Sequence, residues 1–111
     1  MSEGQKSQKI NVYETRRFTK ALSKLPDQLL SLVEDEIQKI LDNPKIGEQK
    51  RGDLSFLRVH KFQLNKQLTL LGYCWLEDKI ELYLLNLGSH ENFYQVQKQY
   101  RSNDLKLIKS Q

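Results

Sequence analysis

The spacing of apolar positions divides the chain into three stretches. From Phe18 to Leu41 apolar residues recur every three or four positions, the period of a helix with one buried face. From Phe56 to Leu87 they gather in short runs broken by polar pairs, which is the texture of strands joined by tight turns. After Ser89 the helical spacing returns. Ahead of all this, Ile10-Asn11-Val12-Tyr13 alternates apolar and polar and suits a short strand, while residues 1–9 are polar and predict a flexible tail.

The helical stretch is itself two helices. Thr15 can cap the first, whose stripe is Phe18, Ala21, Leu22 and Leu25 before Pro26 ends it. Asp27 opens the second, with Leu30, Val33, Ile37, Ile40 and Leu41 inward and Asn43-Pro44 as its stop. So short a connection makes them a packed hairpin. Residues 43–53 hold four breakers (Asn43, Pro44, Gly47, Gly52) and predict a loop. Three strands follow, at about Phe56 to Leu64, Gln67 to Leu76 and Ile80 to Leu87, turned by Asn65-Lys66 and Asp78-Lys79. Tight turns make them antiparallel neighbours, and continuous apolar runs such as Leu68-Thr69-Leu70-Leu71 require helical cover on at least one face.

A closing helix begins at Ser89, with Phe93, Val96 and Tyr100 on its apolar stripe. The end of the chain is polar, with Leu105 and Leu107 alternating, and predicts a disordered tail or an added edge strand. The expected organisation is a tail over 1–9, one domain over 10–102 and a C-terminal tail over 103–111. Strand, helical hairpin, meander and helix make an α+β fold.

Charge changes this picture in one place. Residues 1–44 and residues 67–111 each sum to zero, so the whole net charge of +4 comes from residues 45–66. There Lys45, Lys50, Arg51, Arg58, Lys61 and Lys66 face only Glu48 and Asp53. Concentrated positive charge is a footprint for phosphate or for an acidic protein; the plainer reading is a solvated loop with ordinary lysines. No run is apolar enough to span a bilayer, the N-terminus lacks the apolar core of a signal peptide, and the single cysteine lies in a strand pattern as a small hydrophobe. These features predict a cytoplasmic chain without disulfides.

Two histidines narrow the candidate chemistry. Arg58 and His60 are two apart on one strand and share a face, with Lys61 on the other; two such residues between Phe56 and Phe62 point to function, the bland alternative being a solvent-facing end of the sheet. His90 follows a buried strand and opens a helix, where the helix dipole favours anions, and Tyr94 lies four residues on along the same helix face. The bland alternative makes Ser89 a cap and His90 a first-turn filler. If the last strand lies beside the first two, the four side chains can meet. A base, a cation and an aromatic ring without a metal suit cleavage of RNA by its own 2′-hydroxyl, with Tyr94 orienting a phosphate or stacking on a base. Two histidines without paired ligand spacing give no zinc site, and no phosphate-cradling glycine loop is present, so neither metal nor cofactor is expected.

The stretches Asn43-Pro44-Lys45-Ile46-Gly47-Glu48-Gln49-Lys50-Arg51-Gly52-Asp53-Leu54, Leu57-Arg58-Val59-His60-Lys61-Phe62, Leu71-Gly72-Tyr73 and Leu85-Asn86-Leu87-Gly88-Ser89-His90-Glu91-Asn92-Phe93-Tyr94 resemble the RelE/ParE superfamily of toxins from bacterial type II toxin–antitoxin modules. The order of a helical hairpin before a meander agrees. The resemblance implies a RelE-like fold and, for RelE-type members, metal-free cleavage of messenger RNA on the ribosome. By similarity to the YafQ-like branch, His90 takes the catalytic place and Tyr94 the aromatic one. Arg58 falls where the family keeps a phosphate-binding arginine, and His60 near a second histidine. Lys50, Arg51, Lys61 and Lys66 take the part of basic residues that face RNA, with small-subunit ribosomal RNA also in reach. The chain departs from RelE in having a histidine near its end, and from YafQ in lacking an Asp soon after His60.

The implied partners are messenger RNA on the ribosome and a cognate antitoxin lying as an extended or helical segment over the hairpin and sheet, with no membrane and no small-molecule cofactor. Two other readings remain open: a ParE-like toxin that poisons DNA gyrase by binding alone, and an inactive basic binding module.

Overall fold

The computed structural model describes residues 9–110. The elements are β1 (Asn11–Glu14), α1 (Arg16–Ser23), α2 (Asp27–Asp42), β2 (Glu48–Gln49), β3 (Arg58–Leu64), β4 (Gln67–Leu76), β5 (Glu81–Ser89), α3 (His90–Gln99) and α4 (Arg101–Ser110), with a 3-10 turn at Gly52–Leu54. Their local causes are those the sequence carries. The Thr15 hydroxyl accepts the Phe18 amide at 3.0 Å and donates to the Leu85 carbonyl at 2.8 Å, capping α1 and fixing it to β5. Pro26 separates the hairpin helices and Asn43 closes α2. Asn65 and Lys66 both take positive φ, 53° and 67°, between the paired residues Leu64 and Gln67. That is the two-residue turn whose twist suits a hairpin.

The strands form one sheet in the order β1-β5-β4-β3-β2. β3, β4 and β5 make the antiparallel meander, while β1 joins the far side of β5 in parallel, Val12 opposite Leu82. Helices cover both faces. On one, Phe18 of α1 and Ile40 of α2 pack on Leu71, Tyr73, Leu82 and Leu84. On the other, Phe93 of α3 and Ile108 of α4 pack on Leu57, Val59, Leu70, Cys74, Tyr83 and Leu85. Burial there pushes the Cys74 thiol up to about 11, so it stays a neutral packing group. The α+β fold class stands.

Two details differ from the sequence reading. The last residues, 102–111, expected as a disordered tail or an added edge strand, fall, as far as residue 110, in helix α4. Its inward positions are Asp104 and Ile108, four apart, and an acid in the buried place hides the helical stripe. The two residues of β2, read as loop, pair with Val59 and Arg58, and so short a strand leaves no periodic signal. The expected tail over residues 1–9 lies, apart from Lys9, outside the described residues. Among the described residues no helix is long and apolar enough to cross a membrane.

Candidate functional site

The sheet sends the chemistry-bearing residues of β3 to two different faces. Positions 58, 60 and 62 alternate toward α1 and α2. The His60 Nε2 lies 2.8 Å from the Glu36 Oε1 on α2, with the two side chains 11% and 16% exposed, and the imidazole stacks on Phe62 at 5.6 Å. Lys39 donates to the same carboxylate at 3.0 Å. Desolvation raises the Glu36 pKa, but hydrogen bonds to His60 and Lys39 outweigh it and hold the carboxyl below its usual 4.5.

Arg58 is committed in a similar way. Its Nη1 donates to the Gly47 carbonyl at 2.7 Å and to the Lys45 carbonyl at 3.2 Å. Tyr73, directly opposite Arg58 on β4, accepts the Gly47 amide at 2.9 Å and donates to the Pro44 carbonyl at 2.7 Å. Burial pushes this phenol's pKa up. A Cβ on Gly47 would come within 2.8 Å of the Tyr73 oxygen, so only glycine fits the knot. Arg58 and Tyr73 thus hold the loop that carries the chain from α2 into β2.

The opposite face assembles a different set. α3 sits close to the sheet because Gly72 has no side chain; a Cβ there would meet Phe93 at 2.7 Å. The Asn86 side-chain amide donates to the Phe93 carbonyl at 3.4 Å, tying the helix back to β5. Ser89 takes the N-cap position but makes no side-chain cap bond. Phe93 is buried and meets the half-buried Tyr94 edge-on at 5.2 Å. The Lys50 Nζ lies 5.2 Å from the centre of the Tyr94 ring and 3.0 Å from the Glu48 carboxylate. Burial works against the Lys50 ammonium, but Tyr94 and Glu48 beside it outweigh that and raise its pKa. Glu48 is in turn lowered, first by its hydrogen bond to Lys50 and then by the charges of Lys61 and Arg51. Lys50 thus bridges Tyr94 and Glu48, and Arg51 and Lys61 lie near enough to act on the same carboxylate.

His90 opens α3 one turn before Tyr94, exposed and without a hydrogen-bond partner among the described residues. The expected meeting of Arg58 and His60 with His90 and Tyr94 does not occur, because β3 directs the first two side chains to α2 and the loop behind it. Lys66 stands apart as well, exposed in the β3–β4 turn.

Several residues that matter here escaped sequence reasoning. Glu48 and Tyr73 lie in the stretches that carry the family resemblance, but nothing in the sequence assigned them a role. Nor was one assigned to Arg17, Gln97 and Asp104, which form a buried polar group between α1, α3 and α4. The only sequence signal for them was Asp104 four residues before Ile108, a spacing shared with any helix. Among the described residues no three His, Cys, Asp or Glu side chains cluster so as to hold a metal ion.

This arrangement offers an exposed imidazole, an aromatic ring and three cations on an open surface. Such a set can take a proton and hold phosphates without enclosing a small molecule.

The sequence profile of a family described as "ParE-like toxin of type II bacterial toxin-antitoxin system" matches residues 12–98. No curated protein sequence matches. Among solved structures, the toxin–antitoxin complex RelBE of E. coli is similar at 18% identity and a TM-score of 0.60, over 75% of this chain and 99% of that one. The isolated E. coli RelE toxin is similar at 18% identity and a TM-score of 0.59, over 90% of this chain and 99% of that one. A free RelE mutant from E. coli with two arginines changed to alanine gives 18% identity and a TM-score of 0.58, over 76% and 86%.

Proposed function

The chain belongs to the ParE-like toxin family of type II bacterial toxin–antitoxin systems, and from that premise we propose that it inhibits translation by cutting messenger RNA on the ribosome. The observation that carries this reading is the α3 face. His90, without a hydrogen-bond partner among the described residues, stands one helical turn from Tyr94, and the Lys50 ammonium lies beside that ring, with Arg51 and Lys61 acting on its partner Glu48. His90 takes the proton of a 2′-hydroxyl. The freed oxygen bonds to the adjacent phosphorus, the bond from phosphorus to the 5′ oxygen breaks, and that oxygen takes up a proton from solvent. The cations stabilise charge on the phosphate oxygens, and Tyr94 orients the phosphate or stacks on a neighbouring base. No step calls for a metal or a cofactor. In this reading Arg58 and His60 support the rear of the site through the loop knot and α2 rather than touching RNA. The toxin acts in the cytoplasm, where the ribosomes are, and a cognate antitoxin neutralises it by covering the basic face, as the RelBE complex of similar fold suggests.

A second reading is favoured by one observation. With Arg58 and His60 turned away, fewer reactive groups remain than a nuclease site of four side chains would have, and the matching family is described as ParE-like. A toxin that binds and poisons DNA gyrase needs no catalytic residue. The test is primer extension on messenger RNA from cells expressing the wild type or His90→Ala, with gyrase-linked DNA breaks scored in parallel. Cuts within codons that vanish in the variant support the nuclease. Intact message with DNA breaks overturns it in favour of gyrase poisoning.

A further inference from the structure

Helix α4 begins after residue 98, where the match to the family profile ends. Despite its polar sequence it is firmly held. Asp104 is 1% exposed and takes both Arg17 nitrogens, at 3.1 and 2.7 Å, while the fully buried Gln97 donates to it at 2.7 Å. The Arg17 guanidinium also lies 4.4 Å over the Tyr100 ring, and Ile108 enters the core. A buried carboxylate with three hydrogen bonds from two other helices leaves α4 little freedom to rotate.

That anchoring fixes the direction of Arg101, the first residue of α4. Its Nε donates to the Asp53 carbonyl at 2.7 Å, in the 3-10 turn that directly follows Lys50 and Arg51. Arg101 is exposed, and among the described residues no carboxylate pairs with it. One donor therefore steadies the turn, and neither terminal nitrogen has a partner among the described residues. A guanidinium fork held in this way matches the oxygens of a phosphate. The ten residues of α3 separate it from His90 by about 15 Å at 1.5 Å per residue.

We infer that Arg101 extends the RNA-binding surface past the His90–Tyr94 centre by holding a messenger phosphate distinct from the one that reacts. This rests on the ribonuclease reading. It gives α4 a part in the contact with messenger and makes Arg101 a binding residue outside the stretch matched by the family profile.

The test is single-turnover cleavage on programmed bacterial ribosomes over a range of salt, with wild type, Arg101→Gln and Arg101→Lys. The messengers carry one neutral methylphosphonate at successive positions around the cut. Glutamine keeps a donor for the Asp53 carbonyl and removes the charge; lysine keeps the charge. Arg101→Gln is expected to raise KM roughly tenfold at unchanged kcat and to lower the salt slope by about 0.7, with lysine restoring most of that slope. One methylphosphonate away from the cut should cost the wild type a similar factor and the glutamine variant nothing.

An unchanged KM and slope in Arg101→Gln overturns the inference. So does a raised KM with every methylphosphonate costing both proteins alike, which moves the contact to ribosomal RNA. A lowered Tm with reduced kcat reduces Arg101 to a clamp on the turn. If the wild type does not cleave at all, the ribonuclease reading falls first, and this inference with it.

Discussion

The two faces of the sheet carry nearly the same inventory and use it differently. Toward α1 and α2 lie an arginine, a histidine and an aromatic ring in Arg58, His60 and Phe62; toward α3 lie Lys50, His90 and Tyr94. On the first face each polar group has a partner within the fold. His60 has Glu36, and Arg58 has two carbonyls of the loop it restrains. On the second face His90 has no hydrogen-bond partner among the described residues, and Lys50 pairs with Glu48, whose carboxyl the charges of Lys61 and Arg51 also lower. Residue type alone does not mark a reactive site. A histidine already bonded within the fold is a structural group, and the same side chain left unpartnered beside cations is available for substrate.

The contrast breaks most readily at His90. His90→Ala should reduce messenger cleavage by about 10²–10⁴-fold while leaving the thermal transition in place, because the side chain is exposed and has no hydrogen-bond partner among the described residues. Full activity in this variant would remove the α3 face as the reactive one.

The reverse outcome is expected at His60. His60→Ala leaves the Glu36 carboxylate mostly buried with only Lys39 beside it, and should cost about 1–3 kcal/mol in urea unfolding. Cleavage measured where the variant is still folded should be kept. Loss of cleavage with an unaltered unfolding curve would place His60 in the chemistry and erase the distinction between the faces.

Smaller effects sharpen the contrast. Replacing Lys50 and Arg51 together with Gln should flatten the salt dependence of RNA binding by about 1.4, at roughly 0.7 for each phosphate no longer neutralised. The same change at Lys45, whose ammonium pairs with Glu77 at 3.0 Å, should leave the slope as it was.

The smallest effect is one of pH. Glu36 is held below 4.5 in the folded state, so its contribution is present above the unfolded value and lost as pH falls through the lower folded one. Urea midpoints followed from about pH 6 to pH 3 should fall less steeply in Glu36→Gln than in the wild type. Parallel curves would show that the α2 face draws no stability from this pair.

Much of the architecture was legible because short-range chemistry set it. Thr15 caps where its spacing from Phe18 requires, Pro26 and Asn43 bound α2, and Asn65-Lys66 turns the hairpin. The alternation along β3 also correctly separated Arg58 and His60 from Lys61. What alternation could not supply was which helices lie over which face, since that depends on packing between residues far apart in the chain. This hid the pairing of His60 with Glu36, 24 residues away. Helix α4 was hidden for another reason. Its buried side is built on Asp104, and a carboxylate in the core is stabilised only by the distant Arg17, 87 residues back.

The parallel pairing of β1 with β5 bears on how the chain acquires its shape. Val12 is made early, yet its partner Leu82 follows seventy residues later, whereas the hairpin α1–α2 and the meander β3–β5 depend on near neighbours. Non-local pairing carries a larger loop-closure cost and slows folding. Docking of β1 is therefore the late event. During synthesis the first strand stays unpaired until β5 has emerged from the ribosome, and only then can it join the meander in one sheet.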